Sequence, residues 1–243
     1  MSLTPQEARQ LGRRLSNMVD AGETDEAYAL LTPVLASRTP FRILGVLGQA
    51  IGGADRERAD VLLEQIAGDK NEGGWAVIGA ALGEQLAQDM PGSFTRCRAY
   101  IIAANVWYAC DIFGERVPGP ALVADFNLAL RLLSVWRSDD NPWVRRTVGV
   151  AGHFWTKRAH SAAQLVPQAK ELLEFLEPMF EERHIEAIKG IGWALKTMGK
   201  YYPNLLVEWL EVQVVHLQRK PRPLMLRKAL TYLSDEQHAR ITG

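Results

Sequence analysis

Apolar residues recur at helical spacing along the whole chain, and this periodicity restricts the possible folds more than any other feature. Near the N-terminus, Leu11, Leu15 and Met18 follow one another at intervals of four and three, which places them on one face of a helix. Thr4 and Glu7, at the start of this segment, have the spacing of a capping box. We find no segment with the strict alternation of a β-strand. The pattern therefore predicts an all-α protein.

The same periodicity predicts about a dozen helices, separated by clusters of Gly, Pro, Asp and Asn. They are predicted to begin at Thr24, at Thr39-Pro40 and after Asp55, and then to cover residues 73–89, 94–112, 121–137, 142–157, 163–176, 183–199, 203–216 and 223–233. The clearest breaks are predicted at Pro91-Gly92, at Pro118-Gly119-Pro120 and at Asp139-Asp140-Asn141-Pro142. Short turns between such helices suggest antiparallel pairs of roughly 40 residues, the period of HEAT arrays. We therefore predict a HEAT-like, right-handed helical-repeat solenoid that forms a single domain over residues 1–243. A closed, irregular helical bundle is the alternative, because self-similarity between the pairs is faint.

Charge is unevenly distributed along the chain. The protein is neutral overall, with 28 Lys and Arg against 28 Asp and Glu. From Asn141 onward there are 15 basic and 10 acidic residues, so this part carries +5 and the first 140 residues carry −5. A neutral protein with a basic half can still present a positive groove to nucleic acid, which we expect on the concave surface of the solenoid. Solvated lysines on helix surfaces are the alternative.

Several classes of protein are made improbable by what the sequence lacks. No stretch approaches the roughly 18 uninterrupted apolar residues of a membrane span, and the N-terminus lacks the apolar core of a signal peptide. We therefore expect a cytoplasmic protein that does not bind membranes. Cys97 and Cys110 form no CxxC pair and have no histidine at ligand spacing, so we expect neither a metal site nor a disulfide, and no cofactor.

The first segment whose residues could take part in catalysis or binding is the stretch from Asn105 to Asp111. Trp107 and Asp111 are four residues apart and share one face if the segment is helical. A carboxylate at the end of an apolar stretch is costly to bury without compensation. Asp111 is therefore either a capping or ion-paired residue, or a carboxylate placed below an electron-poor reacting centre with an aromatic wall beside it.

The second segment is the predicted start of a helix near Pro142. Asp140 or Asn141 is in position to cap the helix, and Pro142 takes its first position. Arg145 and Arg146 then lie in the first turn, where the helix dipole disfavours cations. Both arginines are better explained by an anionic partner, either a phosphate or a carboxylate.

The third segment places a cation, an aromatic ring and a second cation on one helix face. Lys189, Trp193 and Lys196 are spaced four and three apart. Gly190 and Gly192 lie in the same helix, where each glycine costs about 1 kcal/mol relative to alanine. Their presence predicts that another helix or a ligand approaches this helix closely.

In order and spacing, these segments resemble the signature of AlkD-type DNA alkylation repair enzymes: a Trp-x-x-x-Asp helix, an Asn-x-Trp-x-x-Arg helix and a Lys-x-Ile-Gly-Trp-x-Leu-Arg helix. Residues 226–230, Leu-Arg-Lys-Ala-Leu, are similar to the arginine-bearing closing helix of that family. The resemblance covers residues 95–235. It divides the predicted domain into divergent N-terminal helices over residues 1–92 and a motif-bearing portion over residues 93–243.

The resemblance implies a monofunctional DNA glycosylase that hydrolyses the N-glycosidic bond of N3- or N7-alkylated purines in double-stranded DNA, as a step of base excision repair. Asp111 would be the catalytic carboxylate, Trp107 and Trp193 the aromatic walls of the cleft, and Arg146 the group that holds a phosphate near the lesion. Many glycosylases insert the flipped base into a pocket, whereas this family is expected to read the DNA backbone and its deformability.

Four further residues would line the DNA-facing groove of a protein that acts as a monomer: Arg145, Lys189, Lys196 and Arg227. Two positions depart from the family pattern, since Tyr108 stands where the family often has an acidic residue and Lys196 replaces an arginine. Two other functions fit the same sequence. A non-catalytic DNA-binding relative would keep the basic groove, and a protein-interaction solenoid would use the tryptophans as core or as anchors for a partner.

Overall fold

In a computed structural model that describes residues 3–242, the protein is all-α, as the sequence predicts. Helices make up 82% of the chain and the described residues contain no strand. The chain forms two compact units, one that ends at Val117 and one that begins at Pro118, here called unit N and unit C. Within the described residues, no helix combines the length and the apolar character needed to cross a membrane.

Unit N is built as two layers of helices that alternate along the chain. The odd-numbered helices pack on one another in the order α1, α3, α5 and α7, and the even-numbered helices pack in the order α2, α4 and α6. This is the repeat-like arrangement expected of helical hairpins stacked side by side. The seven helices are α1 (Pro5–Ala21), α2 (Thr24–Leu35), α3 (Phe41–Gly52), α4 (Arg56–Gly68), α5 (Glu72–Glu84), α6 (Met90–Ala104) and α7 (Trp107–Arg116).

Unit C is also built as two layers of helices, and in this unit the even-numbered helices make the more extensive contacts. Here α8, α10, α12 and α14 pack in sequence, while α9, α11, α13 and α15 form the other layer. A π-helical segment, residues 211–216, extends α13. The eight helices are α8 (Pro118–Ala124), α9 (Phe126–Ser134), α10 (Pro142–Ala159), α11 (Val166–Leu176), α12 (Ile185–Tyr201), α13 (Pro203–Leu210), α14 (Pro223–Leu230) and α15 (Asp235–Thr242).

Two predicted helix N-termini that have a side-chain cap, at Thr4 and at Asn141, are confirmed. The Thr4 hydroxyl accepts from the Glu7 amide at 3.3 Å, and the Glu7 carboxylate accepts from the Thr4 amide at 2.7 Å, which completes the capping box of α1. Asn141 caps α10 by accepting from the Trp143 amide at 2.9 Å, with Pro142 as the first helical residue. These starts are fixed by residues within one turn of each other.

Other predicted boundaries are wrong, for local reasons. The predicted helix 94–112 is two helices, because Asn105 takes the left-handed conformation (φ 49°) and ends α6. The predicted helix 121–137 is divided at Asp125, which caps α9. Pro91-Gly92 and Pro118-Gly119-Pro120 are not breaks, since both lie in the first turn of a helix, where proline is tolerated. The final helix, α15, was not predicted.

Helices α10 and α12 approach each other more closely than side chains would allow. A Cβ atom on Gly149 would lie 2.2 Å from the Gly190 carbonyl carbon, and one on Gly190 would lie 2.3 Å from the Arg146 carbonyl oxygen. The two backbones are therefore in direct contact at these glycines. The prediction that Gly190 marks a close approach is confirmed, and the neighbour is α10.

Candidate nucleic-acid interface

Positive charge in unit C is concentrated around Lys228 on α14. Burial lowers the pKa of the Lys228 ammonium, and the positive charges of Lys196, Arg146, Arg227 and Lys189 lower it further. The structure therefore brings four predicted site residues together around a fifth cation, which the sequence analysis did not single out. We call these five residues the cation cluster.

The stem of Lys228 lies across α12 at Gly192. A Cβ atom at Gly192 would meet the Lys228 Cδ atom at 2.6 Å and its Cβ atom at 3.2 Å. The second glycine of α12 therefore makes room for a side chain, whereas Gly190 makes room for a backbone. The contact holds the Lys228 ammonium among its like-charged neighbours.

One carboxylate orders part of the cation cluster. Glu186, in the first turn of α12, receives Arg146 Nη1 at 3.0 Å on one oxygen and Lys189 Nζ at 2.6 Å on the other. Arg146 is only 7% exposed, so a charged partner is required for its burial to be tolerated. Glu186 therefore offsets part of the positive charge of the cation cluster.

Arg145, although adjacent in sequence, makes a different set of contacts. Its Nε atom donates to Glu182 at 2.7 Å, and its Nη1 atom donates to the carbonyl oxygen of Asp139 at 2.6 Å. Burial would raise the pKa of Glu182, but hydrogen bonds from Arg145 and from two backbone amides outweigh it and lower the pKa. The carboxylate of Glu182 is therefore the anionic partner that explains why Arg145 is tolerated in the first turn of α10. The contact of Arg145 with DNA stays a prediction.

Trp193 is held in place by a histidine of the neighbouring helix. The rings of His153 and Trp193 stack with centroids 3.9 Å apart and planes inclined by 21°. His153 Nδ1 lies 2.6 Å from the Thr197 hydroxyl, which itself donates to the Trp193 carbonyl oxygen at 2.9 Å. Burial, and then the charge of Lys157, lower the pKa of His153 to about 4. The ring beside Trp193 is therefore neutral at physiological pH.

The C-terminal half of α12 borders a cavity of about 190 Å³. Lys196 and Lys200 both lie against the ring of Tyr232, with their Nζ atoms 5.3 Å and 5.8 Å from its centroid. We call this cavity the α12 pocket and define it by six of its lining residues: His153, Lys157, Trp193, Lys196, Lys200 and Tyr232.

The remaining two predicted site residues lie on α7 of unit N. Trp107 is the first residue of the helix, and its indole is 55% exposed, with its ring edge-on to Tyr108 at 5.8 Å. Asp111 follows one turn later and is half-buried. The prediction that both lie on one helix, four residues apart, is confirmed. An exposed indole beside a partly buried carboxylate can contact a ligand on one face of this helix.

The comparison with protein families is decisive for the identity of the chain. A family model described as DNA alkylation repair enzyme matches residues 53–233, which is most of the chain. The chain belongs to the DNA alkylation repair family. No curated protein matches the sequence. The match begins well before residue 95, where the resemblance recognised in the sequence begins, so it also covers part of the helices that the sequence analysis regarded as divergent.

Membership of the DNA alkylation repair family gives the protein a role in the repair of alkylated DNA. The cation cluster is consistent with that role, because phosphates are the dominant partners of clustered Lys and Arg on DNA-binding proteins. Residues 3–242 contain no group of three or more His, Cys, Asp or Glu arranged to hold a metal ion. Cys97 and Cys110 are both buried.

Sequence reasoning missed three residues that organise this site in the repair protein. Glu186 precedes Lys189 by three residues, a spacing that allows an ion pair on a helix. His153 follows Arg146 by seven residues and so lies on the same face of α10. Lys228 directly follows Arg227 in the closing motif. Spacing along one helix could have suggested all three, although not which partners they meet.

Proposed function

We propose that this repair protein is a monofunctional DNA glycosylase that hydrolyses the N-glycosidic bond of N3- or N7-alkylated purines in duplex DNA. The observation that carries the proposal is the cation cluster. Four basic side chains converge on Lys228 in a protein with no net charge. Repulsion between like charges lowers the stability of the protein, and a bound anion offsets this repulsion. The phosphates of a DNA backbone are such anions.

The basic face of α12 has dimensions suited to a DNA strand. Lys189, Lys196 and Lys200 occupy one side of the helix, and the eleven steps from the first to the last span about 16 Å at about 1.5 Å per residue. One strand of B-DNA carries a charge about every 3.4 Å of helix axis. The face can therefore meet several successive phosphates of one strand. Arg227 and Lys228 on α14 add two further cations beside it.

Arg146 is suited to a fixed phosphate contact in a way that the exposed lysines are not. Its guanidinium is buried and held by Glu186 through Nη1. A planar guanidinium has five donors in a rigid fork, a geometry that suits it to bind an anion such as phosphate as well as a carboxylate. We propose that this anion is the backbone phosphate next to the lesion.

The chemical step needs little more than a well-placed carboxylate. Alkylation at N3 or N7 gives the purine a positive charge, so the electron pair of the C1′–N bond can leave with the base without a general acid. As that bond breaks, the sugar develops oxocarbenium character, as in glycoside hydrolysis. We propose that Asp111 stabilises this charge and orients the water that forms the new C1′–O bond, taking up the proton that the water loses.

The two tryptophans would act on the sugar and the backbone of the lesion nucleotide. The exposed face of Trp107 and the ring of Trp193 are electron-rich and favour a growing positive charge beside them. Trp193 is rigid because His153 stacks on it. In this proposal no metal, cofactor or Schiff-base lysine takes part, and the protein acts as a monomer in the cytoplasm.

The decisive experiment is the release of free methylated purine from methylated duplex DNA. We expect the wild-type protein to release the base, and Asp111→Asn to bind the same DNA without releasing it. Asp125→Asn is the matched control, because asparagine keeps the N-cap that Asp125 gives to α9.

Three other outcomes discriminate between the competing functions. Base release by Asp111→Asn at the wild-type rate would overturn the catalytic assignment. Salt-dependent binding to duplex DNA without base release by the wild type would favour a non-catalytic DNA-binding protein. The absence of both binding and release would favour a protein-interaction scaffold.

A further inference from the structure

Positive charge in the α12 pocket is not compensated by carboxylates. Lys157, Lys196 and Lys200 form no ion pair with an acidic residue within residues 3–242, in contrast to Lys189, which meets Glu186 at 2.6 Å. The neighbours of Lys196 and Lys200 are aromatic rings instead. Three ammonium groups around one cavity favour an anionic ligand, and phosphate is the most suitable anion for a point charge such as lysine.

A buried histidine adds an acceptor to this cationic pocket. The Thr197 hydroxyl donates its single proton to the Trp193 carbonyl oxygen, so it can only accept from His153 Nδ1. From this hydrogen-bond network we assign the imidazole proton to Nδ1, which leaves a lone pair on Nε2. His153 is 7% exposed and lines the pocket, and Nε2 has no hydrogen-bond partner in the described part of the chain. A ligand that fits must therefore carry an N–H or O–H group.

The other walls of the pocket are aromatic, and its size is limited. Trp193 and Tyr232 present rings to the cavity, and rings of this kind bind nucleobases by stacking in proteins that hold unpaired nucleic acid. At about 190 Å³, the cavity is smaller than the roughly 300–1,000 Å³ of pockets that enclose a drug-sized ligand. This size suits one planar group with its phosphate outside the cavity.

We propose that the α12 pocket binds a single nucleotide unit, with its phosphate on Lys157, Lys196 and Lys200 and with an N–H or O–H of its base or sugar donated to His153 Nε2. The unit is either an unstacked nucleotide of bound DNA or a free nucleotide. In the first case the proposal rests on the function proposed above, and it adds recognition of one nucleotide to the reading of the backbone.

The first experiment detects the nucleotide unit without any repair reaction. The imidazole nitrogens of the ¹⁵N-histidine-labelled protein are followed by NMR during titration with dCMP, with deoxycytidine and with inorganic phosphate. We expect dCMP to shift the Nε2 signal of His153 and to bind about tenfold more tightly than either part, since a base stacked on an aromatic ring contributes about 1–3 kcal/mol.

Two variants separate the nucleotide from a simple anion. His153→Phe keeps the ring that stacks on Trp193 and removes the acceptor, so we expect up to about tenfold weaker dCMP binding with unchanged phosphate binding. Lys200→Gln, at an exposed position that leaves the fold intact, should weaken both. His216→Phe, an exposed histidine outside the pocket, is the matched control.

The second experiment distinguishes the two sources of the nucleotide. Binding is compared between a duplex with one bulged, unpaired nucleotide and the fully paired duplex. A preference for the bulged duplex that His153→Phe abolishes identifies an unstacked nucleotide of DNA as the ligand. Equal affinity for both duplexes, together with dCMP binding, identifies a free nucleotide.

The proposal is overturned if dCMP leaves the His153 signal unchanged, or if inorganic phosphate binds as tightly as dCMP and His153→Phe alters neither. Base release from methylated DNA is measured in parallel on the wild type. A protein that releases base but ignores dCMP is a glycosylase without the nucleotide pocket. A protein that binds dCMP but releases no base keeps the pocket and loses the proposed function.

Discussion

The two ends of α12 carry similar numbers of cations but hold them in different ways. At the N-terminal end, Glu186 binds both Arg146 and Lys189 and fixes their positions. At the C-terminal end, Lys196 and Lys200 share the ring of Tyr232 and have no carboxylate between them. The comparison shows that the basic surface of this repair protein is not uniform. The N-terminal end is held in place by Glu186 before a ligand binds. The charges of Lys196 and Lys200 at the C-terminal end are not neutralised by a carboxylate and are available to an anionic ligand.

Burial explains why the two ends are built differently. Arg146 is almost completely buried beneath the crossing of α10 and α12, and a buried charge without a partner would cost several kcal/mol. Lys200 is exposed and its ammonium can be hydrated, so it needs no carboxylate. The paired end therefore contributes to the fold as well as to ligand binding, and the unpaired end contributes mainly to ligand binding.

The largest effect is expected where the two helices cross. Gly190→Ala puts a Cβ atom 2.3 Å from the Arg146 carbonyl oxygen, and neither backbone can move without separating α10 from α12. We expect the free energy of unfolding to fall by about 3 kcal/mol or more, the upper range for overpacking a core. Chemical denaturation followed by circular dichroism measures this loss.

Gly192→Ala, two residues later, is the matched control. Its Cβ atom would meet the stem of Lys228, where the Cδ atom at 2.6 Å can be displaced and the Cβ atom at 3.2 Å must give way by a few tenths of an ångström. We expect nearly unchanged stability, because alanine gains about 1 kcal/mol of helix propensity, together with weaker binding to duplex DNA. Equal stabilities of the two alanine variants would show that the crossing is looser than the structure indicates.

The next largest effect concerns pH and the neutral His153. Burial, followed by Lys157, holds the pKa of His153 at about 4, below its ordinary 6.5, so the unfolded chain takes up a proton first as the solution is acidified. The contribution of a neutral His153 to stability is complete above pH 6.5 and is lost as the pH falls toward 4. At about 1.4 kcal/mol for each pKa unit, the loss amounts to about 3 kcal/mol.

Denaturation curves at pH 7 and pH 4.5 test this for the wild type and for His153→Phe. We expect the gap in unfolding free energy between the two proteins to shift in favour of the variant at the lower pH. The exposed His216→Phe variant should track the wild type. Parallel pH dependence in the wild type and His153→Phe would contradict the lowered pKa.

The sequence predicts those features of this fold and site that are decided within one or two helical turns. The capping box at Thr4 and the start of α10 at Pro142 depend on neighbouring residues, and both are confirmed. Gly190 could be recognised as a point of close approach, because glycine is unfavourable in a helix without such a reason. Asn105 was missed since its left-handed conformation leaves no mark on the apolar pattern around it.

The partners of the charged residues could not be predicted, because they lie far apart in the chain. Arg146 meets Glu186 across 40 residues, and His153 meets Thr197 across 44. Each side chain is an ordinary helical residue in its own segment, and only the packing of α10 on α12 brings them together. The sequence therefore indicates a basic face on α12 but cannot show that one of its ends is neutralised.

A smaller effect is expected on the salt dependence of DNA binding. Lys196 has no carboxylate partner, and its replacement by alanine should reduce the slope of log affinity against log salt by about 0.9, the value for one phosphate contact. Lys189→Ala should reduce it less, because Glu186 already neutralises part of that charge. Fluorescence anisotropy with an undamaged duplex at several salt concentrations gives both slopes. Equal losses would mean that Glu186 does not weaken the Lys189 contact and that the two ends of α12 bind DNA alike.

The smallest effect is expected from the ring that the two lysines share. Tyr232→Leu keeps an apolar side chain of comparable bulk but removes the cation–π contacts to Lys196 and Lys200. Because Tyr232 is 49% exposed, each contact contributes only about 0.5–1 kcal/mol. We expect a fall in unfolding free energy of about 1 kcal/mol or less, and a larger relative loss in dCMP affinity, since the ring also forms a wall of the pocket. Loss of stability comparable to that of Gly190→Ala would instead place Tyr232 among the residues that hold the fold, and the C-terminal end of α12 would then be as structural as the end that Glu186 organises.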